Sequence, residues 1–369
     1  MIRLEQVSKS YGDVQAVAEM SLTVEAGELV VLIGPSGCGK TTTLKMINRL
    51  IEPSSGTIFV NGKDTAGQNP ETLRRAIGYV IQSIGLFPHM TVRQNIQVVP
   101  DLLGWPKRRS AARADELLEM VGLHPDTYRD SFPSELSGGQ AQRVGVARAL
   151  AVDPPVLLMD EPFGAVDPIT RERLQDEFIK LQRTLRKTIV MVTHDIDEAI
   201  KLADRVCVMK EGRVEQFDTP EQLLAAPGSR FVRHFVGSDR ALKRLSRIAV
   251  EPYLRDAPTV DINADEQQVR ATLVKHRTAY VTREGKLTGW IDRKAFAADQ
   301  VVASALTEVD PDFGAIQQGW DAKEALARML SQGASELPVV NNSSELVGRL
   351  DIRTILALTG EEEEAPVGD

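Results

Sequence analysis

Residues 28–50 read ELVVLIGPSGCGKTTTLKMINRL: an apolar run, a loop rich in glycine, and a helical stretch that opens on lysine and threonine. A short apolar run ending in glycine is the pattern of a strand buried on both faces of a parallel sheet. Glycines allow a backbone to approach a ligand closely, and the free N–H groups of a helix start form an anion cradle. Residues 34–41, GPSGCGKT, satisfy G-x-x-x-x-G-K-[ST] at every position, in the strand–loop–helix context that gives this pattern its meaning. Backbone N–H groups from Ser36 to Thr42 are expected to wrap a phosphate chain, with Gly34, Pro35, Gly37, Cys38 and Gly39 shaping the turn. Lys40 would reach the β- and γ-phosphates of ATP, and the Thr41 hydroxyl would ligate Mg2+. A tight turn without a ligand has no use for a lysine there. Cys38 reads as a small filler.

Two further apolar runs, PVLLMDE (155–161) and KTIVMVTHD (187–195), read as buried strands. Helical stretches lie between the strands, among them AARADELLEMVG (111–122) and RERLQDEFIKLQRTL (171–185). Strands alternating with helices predict an α/β domain with a mainly parallel sheet, from the N-terminus to residue 235. A strand ending in Asp160 puts a carboxylate at the sheet edge near the phosphates, suited to the Mg2+ shell. Glu161 suits orienting or deprotonating the attacking water.

ELSGGQAQRVGVARAL (135–150) raises a separate question. Ser137 and Gln140 fit a capping box at a helix start, but capping leaves Gly138 and Gly139 unexplained, since paired glycines weaken a helix. They make sense if something must approach the backbone closely.

LSGGQ, placed between the phosphate loop and VLLMDE, resembles the signature of ATP-binding-cassette ATPases over about the first 235 residues. The resemblance implies a P-loop ATPase fold with a helical subdomain. It also implies a homodimer in which Ser137, Gly138, Gly139 and Gln140 of one subunit cap the γ-phosphate held by the other. By the same resemblance Tyr11 stacks on adenine, and Gln82 touches Mg2+ and water and couples to a membrane partner. Asp167 communicates across the dimer, and His194 contacts the γ-phosphate. Ala141 stands where relatives often carry a second glutamine.

Beyond residue 235 the composition changes. SRFVRHFVGSDRALKRLSR (229–247) carries six basic residues against Asp239. Arg240, Lys243, Arg244 and Arg247 would line one face of a helix, either a solvated cover over a domain junction or an element sensing an anionic surface or salt. A basic helical linker is expected over 236–250.

An internal repeat follows in 251–360. Leu287, Gly289 and Asp292 in LTGWIDRKAF each have a mate 59 residues on, Leu346, Gly348 and Asp351 in LVGRLDIRTI. Each copy has a helical run ahead of it, and together they read as a pseudo-symmetric α+β pair. The pair resembles tandem CBS domains. It departs from the adenosine-binding pattern, which has Ser or Thr and then Asp where this chain has Asp292 and Ala295 in one copy and Asp351 and Thr354 in the other. With the ribose-binding carboxylate missing, the expectation is ionic-strength sensing, a cyclic dinucleotide at the domain interface, or a purely architectural role. The final EEEEAPVGD (361–369) reads as a solvated acidic tail.

The formal net charge of −8 argues against nucleic acid as the main partner. Two distant cysteines fit a reducing compartment, and no apolar run approaches the ~20 residues that span a bilayer. IGLFPHMTVRQNI, VVPDLLGW and DEPFGAVDPITR, together with the C-terminal repeat, resemble the ATPase subunit of quaternary-amine importers. That resemblance implies a subunit on the cytoplasmic face of the inner or plasma membrane, bound to an integral permease and fed by an extracytoplasmic binding protein. SIGLFPHM is the candidate permease surface. An importer of another solute, a soluble cassette ATPase acting on nucleic acid or the ribosome, and a small-molecule kinase are the alternatives.

Overall fold

The computed structural model describes residues 1–82, 85–164, 166–296 and 301–359. Its first ten strands are β1 (Ile2–Tyr11), β2 (Val14–Val24), β3 (Leu29–Ile33), β4 (Ser55–Val60), β5 (Lys63–Asp64), β6 (Ile77–Val80), β7 (Val156–Asp160), β8 (Thr188–Val192), β9 (Arg205–Lys210) and β10 (Arg213–Asp218). They form two sheets. One runs in the order β10-β9-β3-β8-β7-β6, parallel from β9 to β6 with β10 antiparallel at its edge. The other is antiparallel, in the order β2-β1-β4-β5.

Every residue of β3, β7 and β8 is buried. Their side chains point alternately to two cores. Val31, Ile33, Leu157, Met159, Ile189 and Met191 face a core shared with helices Val92–Leu102, Lys107–Met120 and Gly138–Ala149. Val30, Leu32, Val156, Leu158, Val190 and Val192 face a core closed by the antiparallel sheet and helix Lys40–Ile47. The continuous apolar runs of the sequence are thus strands sandwiched between layers, as their lack of alternation predicts. No described helix is long and apolar enough to cross a membrane.

The chain divides into two units, Met1–Gly237 and Ser238–Asp369. The stretch expected as a linker therefore belongs mostly to the second unit. Leu245 and Val250 are buried in that unit's core with Ile316, Met329 and Leu350, and apolar burial of this kind anchors a segment. The helix is also shorter than a four-residue basic stripe needs. It spans Arg240–Leu245, so Arg247 lies beyond its end. Lys243 pairs with Asp239 at 3.0 Å, and Arg244 Nη1 donates to the Thr359 carbonyl at 3.1 Å. The acidic tail lies outside the described residues.

The repeat is visible in the second unit's strands: β11 (Thr259–Asp261), β12 (Thr278–Arg283), β13 (Lys286–Asp292), β14 (Thr307–Glu308), β15 (Ile316–Gln317), β16 (Glu336–Val340) and β17 (Leu346–Asp351). In each copy a short strand pairs in parallel with the first arm of a hairpin, β11 with β12 and β15 with β16, and a helix joins the two. Both hairpins slip register at the same place. Val281 faces Gly289 and Val339 faces Gly348, and the next pairs are Thr282 with Leu287 and Val340 with Leu346.

The repeated glycines have a steric reason. A Cβ on Gly289 would overlap the Thr307 carbonyl oxygen of β14 and come within 2.7 Å of Leu306 Cδ1. One on Gly348 would meet the Arg255 carbonyl oxygen at 3.1 Å. Each glycine admits another backbone segment beside its hairpin. Gly289→Ala is therefore expected to destabilise the second unit by roughly 1–3 kcal/mol through forced displacement of β14. Gly348→Ala should cost less, and thermal unfolding of the two variants beside the parent measures the difference.

Candidate functional site

Four loops leave the C-terminal ends of parallel strands, and each carries residues picked out in the sequence. After β3 the chain enters the glycine loop, with φ of 152° at Gly34, 80° at Gly37 and 101° at Gly39. These are conformations that favour glycine. There is no room for a side chain at two of them: a Cβ would overlap the Met209 carbonyl oxygen at Gly34 and the Ala16 carbonyl oxygen at Gly39. Gly39 caps helix Lys40–Ile47 without a side-chain cap bond, so the helix start is left to the loop backbone.

Lys40 is only 8% exposed. Its ammonium donates to the Gly34 carbonyl at 2.7 Å, to the Pro35 carbonyl at 3.0 Å and to Cys38 Sγ at 3.6 Å. A buried cation must be paired or fully hydrogen-bonded, and here neutral loop acceptors meet its three protons. An anion in the loop would offer it a charged partner instead. Cys38 is itself buried, as is Cys207, whose thiol burial pushes up to about 12.

Thr41 Oγ1 donates to Asp160 Oδ1 at 3.0 Å, tying the helix start to the end of β7. Asp160 is buried, and desolvation pushes its carboxyl above the ordinary range, against the opposing effects of the Thr41 bond, Lys45 and Lys40. Tyr79 is pushed up to about 12 by burial and by the Asp160 charge. A buried carboxylate beside a threonine hydroxyl is an oxygen donor set for a hard divalent cation. The residues fit Mg2+.

Glu161 follows Asp160 with φ of 46°, a left-handed conformation that costs a residue with a Cβ roughly 1–2 kcal/mol. Its N–H donates to the Val192 carbonyl at 2.9 Å. Its carboxylate is held from two sides: Gln82 Nε2 donates to Oε2 at 2.9 Å, and His194 Nδ1 lies 3.3 Å from Oε1. Two residues far apart in sequence, Gln82 and His194, thus converge on the Glu161 carboxylate. The glutamate side chain is 21% exposed and the histidine 64%, so the group is open to solvent.

Ser137 and Gln140 do not join this cluster through any hydrogen bond or ion pair among the described residues. They form the reciprocal capping box. Gln140 N–H donates to Ser137 Oγ at 3.3 Å, and Ser137 N–H donates to Gln140 Oε1 at 2.8 Å. Gln140 Nε2 also donates to the Tyr128 hydroxyl at 3.1 Å. Gly139 has a reason inside its own chain: a Cβ there would meet Thr170 Cγ2 at 3.2 Å and Leu174 Cδ1 at 3.5 Å. Close packing of helix Gly138–Ala149 on helix Pro168–Leu185 therefore accounts for the second glycine. Gly138 is exposed. Asp167 caps helix Pro168–Leu185 by accepting the Thr170 N–H at 3.1 Å; that bond, with the other local donors, holds its carboxyl below the usual range. Tyr11, at the end of β1, is half exposed, with Lys9 Nζ 5.1 Å from its ring centroid.

The second unit has a cavity of about 730 Å3, lined among others by Lys275, Arg277, Trp290, Asp292, Glu336 and Arg349. Its acids are already engaged. Asp292 lies 3.4 Å from Arg277 Nε, and Glu336 accepts from Arg349 Nη1 at 2.8 Å and from the Tyr280 hydroxyl at 3.3 Å. Asp351, the mate of Asp292, accepts the Thr354 N–H at the start of helix Ile352–Ala357 and lies 3.0 Å from Arg255 Nη1.

Comparison with known proteins agrees with this picture. The ABC transporter family model matches residues 17–164, and the CBS domain model matches 306–360. The glycine betaine/carnitine/choline transport ATP-binding protein OpuCA of Bacillus subtilis is 48% identical, over 94% of this chain and 93% of its own. This chain belongs to the ABC transporter ATP-binding proteins. The osmoprotectant import ATP-binding protein OsmV of Salmonella typhimurium is 44% identical over 95% of this chain and 94% of its own. Among solved structures, a dimeric ATP-binding cassette in a post-hydrolysis state bound to ADP and Pi is 35% identical. It covers 60% of this chain and 99% of its own at a TM-score of 0.55. The ABC ATPase is thus an ATP-binding protein built on the fold its phosphate loop predicts.

Sequence reading missed Tyr128, Arg171, Thr193 and Glu198. Glu198 and Thr193 are both buried, and the Thr193 hydroxyl donates to Glu198 Oε2. The signal the sequence offered was only a glutamate four residues after His194, in a turn that also carries Asp195 and Asp197. One consequence of the Asp160 environment is measurable. Its folded-state pKa is raised, so the penalty sets in as pH rises above the unfolded carboxyl value near ~4 and persists at neutral pH. Asp160→Asn should raise the Tm of the nucleotide-free ABC ATPase at pH 7, and the gain should shrink as pH falls toward that value.

Proposed function

We propose that this ABC ATPase powers import of quaternary ammonium osmoprotectants such as glycine betaine, choline, carnitine or proline betaine. The substrate class is supported by the relatives named for such solutes, which align along nearly the whole chain with the CBS region included. In this reading two copies face each other. Tyr11 packs on the adenine, the N–H groups of residues 36–42 and Lys40 hold the phosphates, and Ser137, Gly138, Gly139 and Gln140 reach the partner's γ-phosphate. Thr41, Gln82 and Asp160 would hold Mg2+, which when bound supplies positive charge to the β- and γ-phosphate oxygens.

The observation that carries the chemistry is the Glu161 carboxylate held between Gln82 and His194. Glu161 accepts a proton from, or orients, the water that attacks the γ-phosphorus. His194, its Nδ1 turned to Glu161, presents the rest of its ring to the phosphate. Gln82 fixes the carboxylate and, from the loop after β6, links it to the permease-facing segment. There Phe87 is exposed, while Leu86 packs on the core and Asn95 bridges Phe87 N–H and its carbonyl. Ser83 and Ile84 of that segment lie outside the described residues. The subunit would sit at the cytoplasmic face of the membrane on an integral permease, downstream of an extracytoplasmic binding protein.

The second unit regulates transport in this reading. Ala295 and Thr354 stand where the adenosine-binding pattern has its ribose-binding carboxylate, and Asp292 and Asp351 are engaged by ion pairs and backbone N–H groups. A cyclic dinucleotide or the ionic strength itself is the proposed effector.

Glu161→Gln is expected to bind ATP normally and hydrolyse it at least ~100-fold more slowly, in line with the usual contribution of a general base. Near-normal turnover would remove Glu161 from this role. For the substrate, uptake of labelled glycine betaine is to be compared in cells with and without the gene, at low and high external osmolarity. Gene-dependent uptake that rises with osmolarity is the expected result; uptake indifferent to the gene would overturn the substrate assignment and leave the ATPase intact.

A further inference from the structure

Two of the loops at the nucleotide site are joined by side chains that no role described above requires. The turn carrying Asp167 and the turn carrying His194 leave different strands, β7 and β8. Arg171, in the first turn of helix Pro168–Leu185, reaches back to its own loop: Nη2 donates to the Val166 carbonyl at 2.9 Å. Its Nη1 lies 3.7 Å from Asp195 Oδ2, the residue after His194. Asp195 uses its other oxygen, Oδ1, to accept the Asp197 and Glu198 N–H groups at 2.9 and 3.3 Å, and so caps helix Ile196–Leu202.

On the other side of His194, Thr193 is buried and makes two bonds. Its hydroxyl donates to Glu198 Oε2 and accepts the Asp195 N–H at 3.1 Å. His194 is thereby flanked by two residues whose polar groups are all pinned, and Glu198 is the anchor of the second. Glu198 is 5% exposed. Burial pushes its carboxyl above the ordinary range, while the Thr193 bond, Arg171 and His194 act against that shift.

Two buried atoms here have no hydrogen-bond partner among the described residues: Arg171 Nε and Glu198 Oε1. Leaving a buried polar atom unpaired costs about 1–3 kcal/mol. At the buried Glu198 mere fold stability would favour an apolar residue. Retaining an arginine and a glutamate with unspent bonding capacity, at the two ends of one network, suits a junction that must hold two loops in step.

We propose that Arg171, Asp195, Thr193 and Glu198 form a strap within one subunit that sets the position of His194 relative to the Asp167 turn. Arg171 and Glu198 are positioning residues for ATP hydrolysis, acting through the two loops. This rests on the role proposed for His194 and on the cross-dimer role that the family resemblance implies for Asp167.

The test is a double-mutant cycle on steady-state ATP hydrolysis by the full-length chain, with ATP affinity measured on the same samples. Arg171→Ala and Glu198→Ala should each lower kcat roughly tenfold, as a small displacement of a reacting group does, with KM and ATP affinity little changed. Glu198→Gln keeps an acceptor for Thr193 and should restore most of the rate. The double alanine variant should be no slower than the worse single one, because either change cuts the same strap. Losses that multiply, or single losses confined to KM and affinity, would overturn the strap. Should the alanine variants not fold, Arg171→Gln and Glu198→Asp, which cannot span the same distances, serve in the same cycle. His194→Ala is run beside them. If it turns over at the parent rate, the assignment of His194 fails and the strap loses its purpose; if it is slow and the cycle is multiplicative, only the strap falls.

Discussion

In β3, β7 and β8 every residue is buried, so a polar side chain on these strands has nowhere to go except past the strand end. Cores on both faces leave no third surface. The phosphate loop after β3, Asp160 and Glu161 at the end of β7, Gln82 beyond β6 and His194 beyond β8 follow from that constraint. In an open parallel sheet the carboxyl ends of the strands are where a ligand can be met. Asp160 shows what the constraint costs. It closes a fully buried strand, its carboxyl is raised by desolvation, and one hydrogen bond from Thr41 is its main compensation within the chain.

What the sequence made legible tracks how local the cause is. The glycine loop could be read outright, because its dihedral demands and its lysine lie within one short run of residues, and the structure gives its glycines positive φ throughout and leaves no room for a side chain at Gly34 and Gly39. The grouping of Gln82, Glu161 and His194 could not be read from spacing, since the order of the strands in the sheet, not their order in the chain, brings them together. Resemblance to a family supplied the roles, and β6, β7 and β8 lying side by side supplies the reason.

The paired glycines of LSGGQ divide along the same line. For Gly139 the group that comes close is the chain's own Thr170 and Leu174, third and seventh residues of helix Pro168–Leu185, which no local pattern connects to residue 139. The stretch expected as a linker falls mostly within the second unit for a similar reason. A run of basic residues reads as solvated, while the apolar residues beside it, Leu245 and Val250, decide where it packs. Hydrophobic burial does not compete with the preference of lysine and arginine heads for water, because their long stems let both be satisfied at once.

Glu161 brings these threads to one residue. The strand leading to it is sealed, so the chain must turn at once to keep the next carboxylate at the sheet edge, and a left-handed φ of 46° makes that turn. The N–H bond to the Val192 carbonyl locks it against the neighbouring strand, and Gln82 and His194 then fix the carboxylate from either side. Backbone strain of this kind persists only where the surroundings over-determine it. Those surroundings are the loops after β6 and β8. Any ligand or partner that shifts one of them therefore acts directly on the geometry of the Glu161 carboxylate, without having to touch it.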